Sequence, residues 1–344
     1  MEFFAGANTR NGFVSLFDDA LKNVKQLYIL KGSSGCGKST LMRKALKKAK
    51  SKGIEADIIY CSADPDSLDG VIFPSLGVAI ADGTAPHILD VKYPCVRENI
   101  INLGQFWNEN KIFPYSEKII DLTNKKSNHF KNAYKCLSAA GVAEDTVKSM
   151  ISRCIDKEKM DAFAFKLAEK LITGRNRKNT SIFSTAFTST GVKELAVFGN
   201  VDLIYRISGK ASEFFILSFE RIAKEYGADF ITSLTCTNPN IPDAIFFPDS
   251  NTLITTLTPP PILSSQEEKM ISTLRFVDST ALSEIRSRLK TLDQLVFELN
   301  ADAQKELYFA KAAHNDIESI YIPAMDFSAL DDYVLSLFNK IFGE

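Results

Sequence analysis

The stretch KQLYILKGSSGCGKSTLMRKALKKAKSKG, from Lys25 to Gly53, decides how this chain is read. Inside it, Gly32-Ser33-Ser34-Gly35-Cys36-Gly37-Lys38-Ser39 fits the phosphate-loop pattern G-x-x-x-x-G-K-[ST] at every fixed position. Leu27 to Leu30 reads as a short buried strand before it. After it, Leu41, Met42, Ala45, Leu46 and Ala49 recur at helical spacing, with Arg43, Lys44, Lys47 and Lys48 on the other face and Gly53 as the stop. Glycines let the backbone close into an anion-holding nest without Cβ clashes, and the following helix presents its unpaired N–H groups. The pattern therefore assigns Gly32, Ser33, Ser34, Gly35, Cys36, Gly37, Lys38, Ser39 and Thr40 to the phosphates of a nucleotide. Lys38 is expected on the β and γ phosphates, and the Ser39 hydroxyl on Mg2+.

Composition narrows the setting. The 344 residues are 45% hydrophobic and 24% charged, enough for one large or two medium cores. A formal charge of −1 gives no footprint for nucleic acid or an acidic membrane. No basic leader precedes an apolar run and no stretch of about 18 uncharged apolar residues occurs, so a cytoplasmic protein without a membrane partner is expected. The cysteines, Cys36, Cys61, Cys95, Cys136, Cys154 and Cys236, are scattered without C-x-x-C or a His cluster at metal-ligand spacing, and read as reduced core residues. Cys36, in the phosphate loop, has a second reading as an oxidation-sensitive position; a tolerated small residue is favoured.

Further along, Ala56 to Cys61 reads as a strand, Ser62 to Gly70 as a polar loop, and Val71 to Phe73 and Gly77 to Ala81 as strands around a Pro74-Ser75 turn. From Arg97 to Leu171 the pattern turns helical, with breaks expected at Pro114 and Gly141. A basic link, Gly174 to Asn179, follows. Past it the chain starts again. LYILKG (Leu27 to Gly32) meets IYRISG (Ile204 to Gly209), and Phe4, Ala7, Thr9 and Gly12 meet Phe183, Ala186, Thr188 and Gly191 at one offset. Gly53 to Pro86 lies without a gap on Gly227 to Pro260, with eight of thirty-four pairs identical against roughly two expected by chance. The helical ends echo too, MDAFAFKLAEKL from Met160 against MDFSALDDYVLSLF from Met325. Two units are expected, residues 1–175 with the intact loop and residues 180–344 as a degenerate copy, each with a helical appendage.

Comparing the copies separates scaffold from chemistry. Opposite Gly35-Cys36-Gly37-Lys38-Ser39 the second copy carries Ser212-Glu213-Phe214-Phe215-Ile216, without the lysine or the hydroxyl and with an acid that repels phosphate. Asp82, ending the run VAIAD, has the pattern of a Walker B acid that holds Mg2+, and its counterpart is Thr256; Asp82-Gly83 also reads as a plain turn. Asp64 and Asp66 become Asn238 and Asn240, which makes them lesser candidates for the metal or for orienting water. Asp69, kept as Asp243, reads as a cap or turn residue. His87 faces Pro261 and is a possible site-edge residue, with a solvated loop histidine favoured. His129 and His314 carry no signal. Arg175 and Arg177 have an arginine-finger reading, with a solvated basic link favoured. The lysines after the loop read as an exposed helix face, since no aromatic residues interleave with them.

On the words ILKGSSGCGKSTL, CSADPDSLDGVIFP and GVAIADGTAPH, with the second-half echo IFSTAFTSTG, the chain resembles a family of bacterial ATP-binding proteins of uncharacterised role, built as a tandem pair of P-loop NTPase domains. The resemblance covers nearly the whole chain and implies an α/β fold, ATP binding and hydrolysis. Relatives of that kind can carry a phosphate loop in both halves; here the second is lost. The expectation is a Mg2+-dependent ATPase with Lys38, Asp82 and Asp64 as catalytic candidates and Ser39 and Asp82 on the metal. A small-molecule kinase, with the insert Arg97 to Leu171 as lid, and a non-hydrolysing nucleotide sensor are the alternatives. Adenine is the default base, because Asn124-Lys125-Lys126-Ser127 lacks the Asp of a guanine-reading motif.

Overall fold

The computed structural model describes residues 1–172 and 177–343. Its first part runs β1 (Glu2–Phe4), β2 (Gly6–Thr9), β3 (Gly12–Ser15), α1 (Phe17–Ala20), β4 (Gln26–Lys31), α2 (Lys38–Ser51), β5 (Asp57–Tyr60), β6 (Leu68–Phe73), β7 (Val78–Asp82) and β8 (Glu98–Asn102). The helices α3 (Glu109–Ile112), α4 (Ser116–Ser152) and α5 (Lys157–Leu171) follow. The second part repeats this order, without counterparts of α1 and α3, as β9 (Asn179–Ile182), β10 (Thr185–Thr188), β11 (Gly191–Glu194), β12 (Asn200–Ser208), α6 (Ser212–Tyr226), β13 (Phe230–Thr235), β14 (Asn238–Phe247), β15 (Thr252–Thr255), β16 (Ser264–Ser272), α7 (Ser279–Tyr321) and α8 (Phe327–Phe342).

The strands form two six-stranded mixed sheets of the same order, β1-β5-β6-β7-β4-β8 and β9-β13-β14-β15-β12-β16. Parallel and antiparallel pairings match position by position, down to a register shift after Ile59 in one and after Ser233 in the other. The chain is thus a mixed α/β protein of two repeated units. Period-2 alternation in β4 and β7 puts Tyr28, Leu30, Val78 and Ile80 under α2, and Leu27, Ile29, Ala79 and Ala81 against the other sheet's Val201, Ile204, Ala244 and Leu253. The sheets meet face to face, with α2 and α6 outside. A twofold-like axis passes between Phe4 and Phe183, whose N–H and C=O groups exchange two hydrogen bonds of 3.0 Å.

The terminal helices are exchanged. α5, closing the first half, packs through Met160, Ala164, Leu167, Ala168 and Leu171 on α6 and the second sheet. α8, closing the second, packs through Leu330, Val334, Leu337, Phe338 and Ile341 on α2 and the first sheet. Matched hydrogen bonds fix both crossings, Asp156 N–H to Phe276 O and Asp326 N–H to Phe106 O, each 2.8 Å. Asp156 and Asp326 then cap their helices by accepting from Lys159 N–H and Ala329 N–H at 3.0 Å. The equivalence is therefore Asp156 with Asp326, and the echo read from Met160 against Met325 is five residues out of register. Cutting the chain at 175 separates the sheets but leaves each without the helix that covers it.

Three local expectations also change. Glu98–Asn102, read as helical, is the edge strand β8, with Glu98 and Ile101 buried and Ile100 exposed. Gly141 does not break α4; a Cβ there would lie 2.3 Å from Arg10 Nε, so the glycine serves a close approach of that guanidinium. α4 pairs along α7 and shares buried Ala133 and Leu137 with Ala303 and Leu307, so the insert is engaged there instead of standing free as a lid. Arg177 rests against Gly227 at the end of α6, and Arg175 lies outside the described residues. Among the described residues no helix is long and apolar enough to cross a membrane.

Asp243 on β14 is 3% exposed, with no hydrogen-bond partner on either carboxylate oxygen, and burial pushes its pKa up to about 6 from 3.8. Below the unfolded value both states hold the proton and the group costs nothing. As pH rises from 3.8 to 6 the unfolded chain releases it first, so stability falls, and above 6 the loss stays at on the order of 3 kcal/mol. Asp243→Asn should therefore gain on wild type by on the order of 1 to 2 kcal/mol more at pH 7 than at pH 5 in urea unfolding. A pH-independent difference would contradict this.

Candidate functional site

The site stands at the carboxyl end of β4, between its parallel neighbours β7 and β8. The chain leaves β4 at Lys31, turns through Gly32 to Gly37 and enters α2 at Lys38. Gly35 and Gly37 have φ of +74° and +84°, the left-handed region where a Cβ is strained. Gly37 caps α2 without any side-chain acceptor, so the N–H groups of the first turn remain available to a ligand.

Two of the side chains expected to act together, Lys38 and Asp82, are brought together. Lys38 Nζ donates to Gly32 O at 2.9 Å and Ser33 O at 3.1 Å, and lies 3.5 Å from Asp82 Oδ2. Asp82, the last residue of β7, is opposite Leu30 in the sheet. Its Oδ1 accepts from Thr84 N–H and the Thr84 hydroxyl at 2.8 and 2.6 Å, which leaves Oδ2 toward the lysine. Burial raises the Asp82 pKa, partly offset by Lys38 and Thr84. Ser39 Oγ accepts from Leu68 N–H at 3.1 Å, tying the loop to the start of β6. Oxygen donors at Ser39 and Asp82, beside a loop of free N–H groups, suit a hard divalent cation and an anion together. Thr40 lies exposed in the first turn of α2, and Cys36 is buried with its thiol pKa raised by burial, as a small core residue would be.

Asp64 is drawn away from this group. Its carboxylate pairs with Lys311 of α7, while Asp66 is exposed. Lys311 belongs to a face that sequence reading missed. Lys311, His314, Glu318 and Ile322 recur at helical spacing, and the end of α7 lays them over the loop. His314 Nδ1 is 3.2 Å from Ser34 Oγ, so a residue without any local signal becomes part of the site. Glu318 is 3.4 Å from His314 Nε2, and that contact foremost, with the Gly35 amide contributing, holds its carboxyl below the ordinary range. Lys126 of α4 faces the same space; burial lowers its pKa and repulsion from Lys38 lowers it further. No sequence signal places these residues, because the groups they meet lie far away along the chain.

Two other expectations are corrected. His87 is not a solvated loop histidine: it is 5% exposed, edge-on to Phe13 and Phe17 at 4.8 and 5.1 Å, with Nε2 2.7 Å from Asp69 Oδ2. Burial works against the imidazolium, but Asp69 outweighs it and leaves the His87 pKa above its ordinary value. Asp69 is not a cap or turn residue; β6 begins at Leu68, so Asp69 is inside the strand and 4% exposed.

In the second repeat the loop is gone. α6 starts at Ser212, three residues past Gly209, and Phe215 and Ile216 are fully buried where Lys38 and Ser39 stand in the first. Phe215 stacks on Phe276, and Glu213 is held by Lys148 at 2.6 Å. Searches against protein-family models, curated proteins and solved structures found no match to this chain.

A Cβ at Gly35 would lie 2.9 Å from Ile322 Cγ1, whereas one at Gly12, also at positive φ, would meet nothing within 4 Å. Gly12→Ala should cost about 1 to 2 kcal/mol of backbone strain alone. Gly35→Ala should cost measurably more in denaturant unfolding, and equal costs would mean that α7 does not rest on the loop.

Proposed function

We propose that the first repeat binds ATP with Mg2+ on Gly32 to Thr40 and hydrolyses it, as a P-loop NTPase unit whose degenerate twin completes the site. The observation that carries this reading is the Lys38 ammonium, held by two loop carbonyls 3.5 Å from Asp82 at the end of the adjacent parallel strand. Two largely sheltered opposite charges beside left-handed glycines and an uncapped helix start form the arrangement that triphosphate binding requires.

In this reading the loop N–H groups bind the phosphate oxygens, and Lys38 moves from the Gly32 and Ser33 carbonyls onto the β and γ phosphates. Ser39 and Asp82 would hold Mg2+, whose charge would offset that of the phosphates. Lys126 and Lys311 bring further positive charge from the long helices, and Asp64 would orient water only once released from Lys311. A lysine to phosphate contact at about 4 Å is worth about 1 kcal/mol in water but about 4 kcal/mol where the site is partly shielded. The covering helices therefore matter to the strength of every contact beneath them.

Lys38→Ala should lower ATP turnover by on the order of 10²- to 10³-fold, with the far-ultraviolet circular dichroism of wild type. Phosphate release from ATP and Mg2+ without added acceptor is the assay. Unchanged hydrolysis in that variant would exclude this loop as the site.

A further inference from the structure

We propose that Cys61, Asp69 and His87 form a second metal site, for a divalent cation of the zinc class, distinct from the Mg2+ position at Ser39 and Asp82. A thiol sulfur, a carboxylate oxygen and an imidazole nitrogen from these residues lie within 4.8 Å of one another. They come from three segments, the residue after β5, the bulged start of β6 and the loop after β7. Pairing of Ile59 with Gly70 and of Tyr60 with Leu68 leaves Asp69 as the extra residue of the bulge, a device that re-aims a side chain.

Beyond the ion pair of His87 Nε2 with Asp69, polar atoms of this corner are left without hydrogen-bond partners. Asp69 Oδ2 has no hydrogen-bond donor aligned with it despite the 2.7 Å approach of His87 Nε2, and His87 Nδ1 has no partner at all. The hydroxyl of Ser62, next to Cys61, is also unpartnered. Two side chains more than nine-tenths buried thus converge with unsatisfied atoms, an arrangement that costs stability unless something binds there. Rigidity is supplied from outside: Phe13 and Phe17 hold the imidazole edge-on, and a Cβ at Gly6 would come within 2.9 Å of His87 Cε1.

The duplicated half is an internal control. At the equivalent positions it has Thr235, Asp243 and Pro261, so the carboxylate survives while sulfur and imidazole vanish together with the loop lysine and Asp82. Asp243 retains the same bulge and burial, with both oxygens unpartnered. The three-donor set accompanies the repeat that keeps its chemistry.

Donor type selects the ion. Thiolate, imidazole and carboxylate together suit Zn2+, whereas Mg2+ and Ca2+ take oxygen ligands. Three protein ligands leave a fourth position open. This inference does not rest on the nucleotide reading, and the experiment keeps the two apart.

The full chain, stripped with chelator, is titrated with Zn2+ and, in parallel, with Co2+ alone as a spectroscopic probe. Wild type should take up one Zn2+ per chain, and Co2+ should develop a thiolate-to-cobalt charge-transfer band. In Cys61→Ser and His87→Gln the zinc affinity should fall by more than the roughly 10- to 100-fold that loss of an outer ligand partner costs. Lys38→Ala should keep the metal whatever happens to ATP turnover. Wild type without the charge-transfer band, a measurement that needs no variant to fold, would overturn the proposal. So would zinc bound equally well by both ligand variants.

Discussion

The exchange of α5 and α8 is the constraint on which the rest of this structure depends. Each sheet has two apolar faces; the other sheet covers the inner one, and α2 or α6 covers only part of the outer one. The remainder is closed by a helix from the opposite half. Five buried side chains of α8, at roughly 1.5 to 3 kcal/mol each, contribute on the order of 10 kcal/mol. That is comparable to the whole net stability of a domain, so neither half keeps its core without the other. The short paired hydrogen bonds at Phe106 and Phe276 show the same crossing made twice.

The crossing also decides where chemistry is placed. To reach the first sheet, the chain of the second repeat runs down α7 and turns through Ile322 directly above Gly35 before α8 begins. Lys311, His314 and Glu318 therefore arrive at the glycine loop as a consequence of how the cores are closed. The second repeat has lost its own loop to Phe215 and Ile216, but it has kept the task of covering its twin. On this view the asymmetry is a division of labour: one copy presents the glycine turn, the other supplies the charged residues above it.

Much of this was legible in the sequence where the signal is local or duplicated. The strand, glycine turn and helix around Lys38 follow from residues within thirty positions, and the equal offsets of prolines and glycines revealed the repeat before any coordinates. Lys38 and Asp82 lie side by side, while the Ser39 hydroxyl is bonded to the Leu68 amide. What escaped has common causes. An apolar face on α8 states that something must cover it, but not whether its own sheet or the other one does so. Glu98–Asn102 is too short, and too exposed at Ile100, to distinguish a strand from a helical turn. Asp69 reads as a cap or turn residue and His87 as a loop histidine, whereas the two are buried against each other and Phe13 and Phe17 pack on the imidazole. Retention of a residue in both copies marked Asp243 as scaffold and thereby concealed that Asp69 has partners its twin lacks.

The central claim is that one nucleotide site is built from both repeats. Hydrogen exchange of the full chain, followed by mass spectrometry with and without a non-hydrolysable ATP analogue and Mg2+, tests it most directly. Slowed exchange is predicted in residues 32–45 and, at the same analogue concentration, in residues 311–330 of the second repeat. Protection confined to residues 32–45 would contradict the account.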